Sequence, residues 1–256
     1  MITDYARRMI RRAKKILFGP TLPIFSNNKN LFENKKGLEV GGPSVIFQEG
    51  RFLPVYKYAS IIDGVNFSAE TVWEGKIQQG NNYKYADDKI GYQYICEGTN
   101  LQEIKDASYD FVLSCHNLEH FANPLKAVQE WSRVLKQDGT LLLVLPHPKY
   151  TFDHKRPITT IEHLIKDFEN DTREDDMTHL EEILRLHDLS RNKQSGDLAS
   201  FKELCLKNVE NRCIHHHVFS SELLAQIFSY FNYELLGVGF ADPFHLIAIG
   251  KKLKSA

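Results

Sequence analysis

Residues 109–146, YDFVLSCHNLEHFANPLKAVQEWSRVLKQDGTLLLVLP, carry the pattern that decides the fold. The run 109–115 is almost continuously apolar, as expected of a strand buried on both faces of a parallel sheet. An amphipathic helix is predicted over 123–135, with Pro124 in its first turn, where proline is favoured. After a turn at Asp138 and Gly139, residues 140–145 form the clearest strand of the chain, which ends at Pro146. This strand–helix–strand order predicts a unit of a parallel α/β sheet.

The same alternation extends in both directions. Further strands are predicted at 37–40, 59–63, 92–96, 233–240 and 244–250. The short turn at Asp242 and Pro243 joins the last two as a hairpin, so the final strand runs antiparallel. Ser220 or Ser221 is the expected N-cap of a helix over 220–230. We therefore predict an α/β fold with a doubly wound, Rossmann-like sheet, mostly parallel with an antiparallel last strand, plus a helical insertion.

Three segments lie outside this alternation. Residues 20–35 resemble a loop, and residues 64–90 are polar and aromatic, which we interpret as an insertion. Residues 159–208 are helical and polar, and nine acids against two bases lie between Asp167 and Asp188, which indicates a solvated or interdomain surface. The predicted organisation is an N-terminal helix over 1–19 and a single domain over 20–256, with a helical cap inserted at about 155–212.

The composition excludes several protein classes. Of 256 residues, 42% are hydrophobic and 25% charged, which excludes global disorder, collagen and coiled coil. No apolar run approaches the ~18 residues that span a bilayer. The four cysteines form no C-x-x-C pair, which predicts a reducing, cytoplasmic setting. A net charge of −1 does not favour nucleic acid as a partner.

The N-terminal segment departs from this neutral balance. Residues 1–17 contain six basic residues and one acid, and apolar residues between 2 and 17 recur at helical spacing. One interpretation is a helix that packs on the domain with its basic residues in solvent. Another is a peripheral membrane contact, in which residues 2–17 lie on anionic lipid. A targeting peptide is disfavoured, because the segment has no hydrophobic core region, contains Asp4 and lacks serine.

Polar residues follow the predicted strands at the sheet edge where ligands bind in open α/β folds. Gly41 and Gly42 would let backbone N–H groups approach a ligand, although glycines there are also plain turn formers. Asp63, predicted to end the second strand, could accept hydrogen bonds from both hydroxyls of a ribose, or could form a turn before Gly64. The loop 97–101 could pair with an adenine edge and pack Leu101 on its face, or could be a solvated turn.

Together these stretches resemble the class I S-adenosylmethionine-dependent methyltransferases over about residues 37–146. The resemblance rests on GLEVGG (37–42), Asp63, Glu97, YDFVLSCHNLEH (109–120) and WSRVLKQDGTLLLVLP (131–146). It implies S-adenosyl-L-methionine as cofactor, bound by Glu39, Gly41, Gly42, Asp63, Glu97, Gly98, Thr99, Leu101, Cys115 and His116. Residues 146–159 and HHHVF (215–219) further resemble an uncharacterised subgroup associated with carbohydrate or cell-envelope biosynthesis.

The chain departs from the family pattern at two places. Pro43 and Val45 stand where the nucleotide loop usually has later glycines, and residues 43–58 contain breakers, so the usual first helix must be short or broken. The D/N-P-P-Y/F motif of amino-methylating DNA enzymes is absent after the fourth strand, so methylation of bases is not expected.

Acceptor chemistry is predicted at the ends of the fourth and fifth strands. A hydroxyl acceptor benefits from a general base, and His116 or His154 is the expected one. An anionic acceptor group would suit Lys149 or Arg156. The predicted acceptor-binding residues are His120, His147, Lys149, Asp153, Arg156 and His217.

A metal site is not predicted. His215 and His217 would share one side of an extended segment, but two imidazoles do not complete a zinc site, which needs three or four ligands. The leading hypothesis is methylation of a small-molecule acceptor, hydroxylated or carboxylated, such as a sugar or glycolipid precursor. The alternatives are a catalytically inactive scaffold protein and, less favoured, an RNA methyltransferase with residues 7–15 as its basic arm.

Overall fold

A computed structural model of the chain describes residues 21–254. The predicted N-terminal helix over 1–19 lies outside the described residues. Within 21–254, no helix is both long enough and apolar enough to cross a membrane.

Eight strands build one central sheet, and two short ones form a separate hairpin. Their bounds are β1 (Lys36–Val40), β2 (Ile61–Asn66), β3 (Glu70–Thr71), β4 (Gly75–Lys76), β5 (Gly80–Ala86), β6 (Lys89–Ile95), β7 (Tyr109–Cys115), β8 (Leu135–Pro146), β9 (Tyr233–Ala241) and β10 (His245–Lys252). The sheet order is β5-β6-β2-β1-β7-β8-β10-β9. The inner pairs from β6 to β8 are parallel, and β10 runs antiparallel to both β8 and β9. The predicted fold class is confirmed.

One strand lies where the sequence indicated an insertion. β5 pairs antiparallel with β6 and forms an edge of the sheet, so residues 80–95 are a hairpin within the fold. The second predicted strand also has different bounds, since β2 runs from Ile61 to Asn66 rather than over 59–63. This shift moves Asp63 from the end of the strand to its middle.

The described helices are α1 (Pro23–Ser26), α2 (Val55–Tyr58), α3 (Pro124–Val134), α4 (Ile161–Glu169), α5 (Leu180–Leu186), α6 (Leu198–Leu206), α7 (Asn208–Asn211) and α8 (Ser221–Tyr230). α3 begins at Pro124 as predicted, and the Asn123 side chain caps it by accepting from Lys126 N. Ser220 caps α8 by accepting from Leu223 N. The expected first helix is broken: only a 3₁₀ turn at Val45–Phe47 and the one-turn α2 lie between β1 and β2.

Alternate residues of β8 enter two cores, one on each face of the sheet. Leu141, Leu143 and Leu145 pack with α3 and α8, whereas Leu142 and Val144 pack with the N-terminal segment that includes Phe25. This alternation follows from the two-residue period of a strand, and both faces are buried. The sheet therefore fixes the positions of the loops that follow its strands.

The carboxyl ends of the central strands lie level with one another. Val40 of β1 is in register with Val65 of β2 and with Ser114 of β7. The strand order reverses at β1, because the chain first adds strands on the β2 side and later on the β7 side. Ligands of open α/β sheets bind at this switch point, so the loops after β1, β2 and β7 are where a site is expected.

The insertion between β8 and α8 carries α4 to α7. Its own hydrophobic cluster is small and consists of four buried side chains, Ile183, Phe201, Cys205 and Ile214. Leu164 of α4 instead packs into the main core. The insertion thus covers the carboxyl-end side of the domain with little core of its own.

Candidate functional site

A cavity of about 220 Å³ lies at the predicted sheet edge. Its walls come from the ends of β1, β2 and β7, the loop after β6, and the insertion. The lining residues are Val40, Gly41, Val65, Asn66, Phe67, Trp73, Glu74, Glu97, Gly98, Cys115, His116, Asn117, His120, Phe121, Glu174 and Arg212. Of the predicted cofactor residues, Gly41, Glu97, Gly98, Cys115 and His116 lie in this wall.

The glycine loop after β1 requires glycine at both positions. Gly41 has φ +81°, and a Cβ there would lie 2.6 Å from Asn117 Cγ. A Cβ on Gly42 would collide with the carboxyl group of Glu39. Gly41 therefore presents bare backbone to the cavity, whereas Gly42 is needed for packing behind it.

Glu39 holds this loop from beneath instead of lining the cavity. Its side chain accepts hydrogen bonds from Tyr56 Oη at 2.6 Å, Tyr83 Oη at 2.7 Å and the backbone N–H of Ser44 at 3.0 Å. Burial raises the pKa of Glu39, and these hydrogen bonds oppose the rise. Its role in the structure is to fix the loop 41–44.

Asp63 does not occupy the predicted ribose position. Its Oδ1 accepts from the N–H of Tyr92 at 2.8 Å, and its Oδ2 accepts from Tyr109 Oη at 2.8 Å and lies 3.1 Å from Lys36 Nζ. Both oxygens thus bind groups of the fold, because the residue lies two places inside β2. The prediction that Asp63 ends the strand and faces a ligand is wrong.

Other polar groups stand on the β2 side of the cavity. Asn66 ends β2, and its Nδ2 donates to Gly42 O at 3.0 Å. Glu74, in the β3–β4 hairpin, lines the cavity, and burial raises its pKa. Sequence analysis missed this carboxylate because it lies in a segment interpreted as an insertion, and nothing in the sequence distinguishes Glu74 from Glu70 nearby.

The loop after β6 is tied to the insertion. Glu97 forms an ion pair with Arg212, and a second guanidinium nitrogen of Arg212 lies 3.0 Å from Glu174 Oε2. Gly98 is close-packed, since its carbonyl accepts from Trp131 Nε1 and a Cβ there would lie 2.6 Å from Phe121 Cζ. Leu101 is wholly buried in the core and Thr99 does not line the cavity, so neither is placed to contact a ligand.

His116 follows β7 and lines the cavity. Its Nε2 lies 2.7 Å from His245 Nδ1, and its backbone has a positive φ of 47°. Burial and the neighbouring His245 lower the pKa of His116 to about 3. The ring is neutral at physiological pH, and it is a weak base.

Three side chains converge beside His116; of these only His120 lines the cavity, and Glu119 lies buried directly behind His116. Ligand atoms of Glu119, His120 and His215 lie within 4.8 Å of one another. His120 Nδ1 donates to Ile214 O at 3.0 Å, and His215 Nδ1 lies 2.6 Å from Asp153 Oδ2, so the Nε2 atoms of both rings are left for other contacts. Neither carboxylate oxygen of Glu119 has a hydrogen-bond partner among the described residues. Burial raises the pKa of Glu119 to about 7.

The remaining predicted acceptor residues divide by location. Asp153 and Arg156 are buried behind His215: Arg156 Nη1 lies 3.2 Å from Asp153 Oδ1 and donates to His215 O at 2.7 Å. This pair positions the segment 215–217 and is not exposed to an anionic ligand. His154 bonds to Asp188 Oδ2 at 2.8 Å, and Lys149 and His147 lie beside Tyr150. These three do not line the cavity, so His154 is not placed as a base.

His217 belongs to a separate cluster. It lies with His163, Asp167 and His179, whose ligand atoms are all within 4.8 Å of one another. Burial lowers the pKa of His179 and His217, so both rings are neutral. His215 and His217 were expected to share one side of an extended segment. In the structure each belongs to a different cluster of potential metal ligands.

One part of the chain is similar to a known protein family. Residues 48–143 match the family model described as a methyltransferase domain. Over this stretch, which is less than half of the chain, the sequence is similar to a methyltransferase domain. A search of curated proteins finds no match.

One solved methyltransferase structure has the same fold. An S-adenosylmethionine-dependent methyltransferase from Mesorhizobium loti is 10% identical, with a TM-score of 0.51 over 90% of this chain and 96% of that one. A protein of the same description from Methanosarcina mazei is 16% identical, with a TM-score of 0.49 over 92% of this chain and 100% of that one. Another from Aquifex aeolicus is 13% identical, with a TM-score of 0.48 over 98% of this chain and 100% of that one. At these identities the likeness shows the fold alone.

The cofactor of the methyltransferase domain is S-adenosylmethionine, and the cavity fits it. Gly41 offers backbone without a Cβ, which would otherwise fill the cavity edge. Phe67 and Phe121 offer apolar walls, and Glu74 and Glu97 offer carboxylates to hydroxyl and amino groups. An apolar cavity with a few convergent polar groups is what a nucleoside ligand requires.

Proposed function

We propose that the chain is an O-methyltransferase that acts on a small hydroxylated or carboxylated acceptor, such as a sugar or a glycolipid precursor. The observation that supports this proposal is Glu119, whose side chain is 1% exposed and whose two oxygens meet no hydrogen-bond donor within residues 21–254. Burying a carboxylate without a partner is costly. An acceptor hydroxyl would supply the missing donor.

Glu119 replaces His116 as the proposed proton acceptor. A general base works best when its pKa lies near the working pH. Burial raises the pKa of Glu119 to about 7, whereas burial and His245 lower the pKa of His116 to about 3. The two pocket histidines are therefore proposed to orient the acceptor, with His116 Nδ1 3.7 Å and His120 Nε2 4.0 Å from Glu119 Oε1.

S-adenosylmethionine, when bound, would supply a methyl group to an acceptor oxygen, and the sulfonium sulfur would leave as the thioether of S-adenosylhomocysteine. The chain contributes alignment: the bare backbone at Gly41 and the carboxylate of Glu74 hold the nucleoside side, and Glu119 takes the proton that the acceptor loses. Glu174 and Arg212 of the insertion line the cavity.

Cofactor binding is tested first by thermal unfolding with S-adenosylmethionine and S-adenosylhomocysteine. Ligand at ~100 times its Kd adds about 2.7 kcal/mol, or roughly 5–11 °C for a chain of this size. Gly41→Val should abolish the shift. The matched control is Gly196→Val, which alters another glycine of positive φ, 72°, away from the cavity. No shift in folded wild-type protein would contradict the proposal.

Acceptor class is tested by transfer of labelled methyl groups to a panel of sugars, sugar acids and amines. We expect methyl ethers or esters as products, and loss of transfer in Glu119→Gln with retained S-adenosylhomocysteine binding. Transfer to amines alone would refute O-methylation while leaving the methyltransferase assignment intact.

A further inference from the structure

The insertion holds four metal-ligating side chains in one place. His163 and Asp167 lie one turn apart on α4, His179 stands at the N-cap of α5, and His217 lies in the extended segment before α8. His163 Nε2 is 3.1 Å from His179 Nε2 and 3.2 Å from Asp167 Oδ2. His217 Nε2 is 3.7 Å from the same Asp167 oxygen.

These separations match the edges of a small coordination tetrahedron. Zinc binds imidazole nitrogen and carboxylate oxygen at about 2.0–2.2 Å, which places tetrahedral ligand atoms about 3.3 Å apart. The separations of 3.1, 3.2 and 3.7 Å straddle this value. The other three separations between the four ligand atoms are at most 4.8 Å, so side-chain rotation would have to bring these pairs together around one ion.

The polar atoms of the cluster are incompletely satisfied by the protein. Asp167 Oδ2 and His217 Nδ1 are buried and have no hydrogen-bond partner in the part of the chain that the structure describes. Asp167 Oδ1 accepts from Thr172 Oγ1 at 3.2 Å, which fixes the carboxylate with Oδ2 toward the histidines. Such second-shell support is usual around metal ligands. A buried carboxylate oxygen that lies among imidazole nitrogens and lacks a hydrogen-bond partner is placed to bind a cation.

The insertion also lacks another source of stability. Its separate core consists of four buried side chains. A small unit with so little core usually depends on a disulfide or a metal, and the structure has its cysteines free. An ion bound here would tie α4 and α5 to the segment that carries His215 and covers the cavity.

We propose that His163, Asp167, His179 and His217 bind one structural Zn²⁺ ion. Four protein ligands close the coordination shell, which is typical of structural rather than catalytic zinc. Binding through His217 Nε2 would replace its contact of 3.2 Å with Ala122 O. The inference does not depend on the acceptor proposed above.

The first experiment measures the metal content of untagged, purified chain by elemental analysis. We expect one equivalent of zinc per chain, removed by a chelator with a fall in melting temperature of roughly 10 °C and restored by ZnCl₂. Co²⁺ added to the metal-free protein should give the visible absorption of a tetrahedral site without thiolate charge-transfer bands, since no cysteine is a ligand. Metal-free wild type that neither gains stability with Zn²⁺ nor shows the Co²⁺ spectrum would overturn the proposal.

Variants locate the ion. Asp167→Asn and His179→Gln should each lose zinc, and His154→Gln is the matched control because it alters a histidine outside both clusters. The competing location is Glu119, His120 and His215. Zinc lost in Glu119→Gln but retained in Asp167→Asn and His179→Gln would refute the proposed site. The Co²⁺ titration of wild type decides the question of binding even where a variant fails to fold.

Discussion

The guanidinium group of Arg212 forms an ion pair with Glu97, a residue 115 positions earlier in the chain. It also lies 3.0 Å from Glu174, so one cation holds two carboxylates at the cavity wall. Burial raises the pKa of Glu97 and raises that of Glu174 to about 7, and Arg212 opposes both shifts. This contact joins the insertion to the loop that follows β6.

Arg212→Gln should destabilise the protein more at pH 8 than at pH 5.5. Without the cation, the pKa values of Glu97 and Glu174 rise further above their unfolded values, so the folded state loses stability as pH rises and both carboxylates ionise. The loss at pH 8 should be about 2 kcal/mol, less than for a fully buried pair because Glu97 is partly exposed. Urea unfolding at both pH values measures it. An equal loss at both values, or an equal effect from the exposed Arg185→Gln, would contradict the assignment.

Glu119→Gln should lower the rate of methyl transfer by roughly 10²- to 10⁴-fold, the usual contribution of a general base. The affinity for S-adenosylhomocysteine should stay within twofold, because Glu119 does not line the cavity. The control is Glu181→Gln, an exposed glutamate on α5. An active Glu119→Gln enzyme would remove Glu119 from the mechanism.

The same variant should change how stability depends on pH. Burial raises the pKa of Glu119 from 4.5 to about 7. Between these pH values the folded protein holds a proton that the unfolded chain has released, so the free energy of unfolding falls as pH rises through 7. The groups facing it are His116, His120, His215 and Asp153. Removing the carboxylate should stabilise the protein at pH 8 by up to about 3 kcal/mol. Melting temperatures of both proteins from pH 5 to 8 test this, and parallel curves would contradict it.

Asp63→Asn should lower stability and Glu74→Gln should lower the affinity for S-adenosylhomocysteine. The first removes the charge that faces Lys36 and one of the two oxygens that accept from Tyr92 and Tyr109, so it should lower stability by about 2–4 kcal/mol and leave the affinity for S-adenosylhomocysteine unchanged. The second should weaken that affinity by roughly tenfold, the effect of one hydrogen bond to a charged group, with little change in stability. Calorimetric titration and urea unfolding separate the two. Weaker binding in folded Asp63→Asn alone would restore the original assignment.

The sequence predicted the sheet well where apolar periodicity and capping residues agree. The helix with Pro124 in its first turn and the Ser220 cap appear in the structure. The strand over 140–145 lies within β8, which begins earlier, at Leu135, and includes the predicted turn at Asp138 and Gly139. The ends of the strands were predicted less well. β2 begins two residues later and ends three residues later than predicted, so Asp63 lies inside the strand and does not line the cavity. A strand whose neighbours are unknown gives no signal for where its pairing stops.

The side-chain clusters were beyond sequence reasoning. His163 and His217 are 54 positions apart, and only the packing of the insertion brings them together. The segment 215–217 is extended but pairs with no strand, so the two-residue alternation used to group His215 with His217 does not apply. Sequence analysis did not select Glu119, because its burial depends on the segment that crosses it through the bond from His216 N to Glu119 O.

Three consecutive histidines contact three different sets of partners. His215 bonds to Asp153, His216 lies 3.1 Å from Asn208 Nδ2, and His217 joins His163 and Asp167. A single added or deleted residue in 213–217 would place each ring against the wrong neighbour at once. Chain length is therefore fixed here, whereas the exposed turn around Gly196 could vary in length, so homologous chains should accumulate insertions there and not before α8.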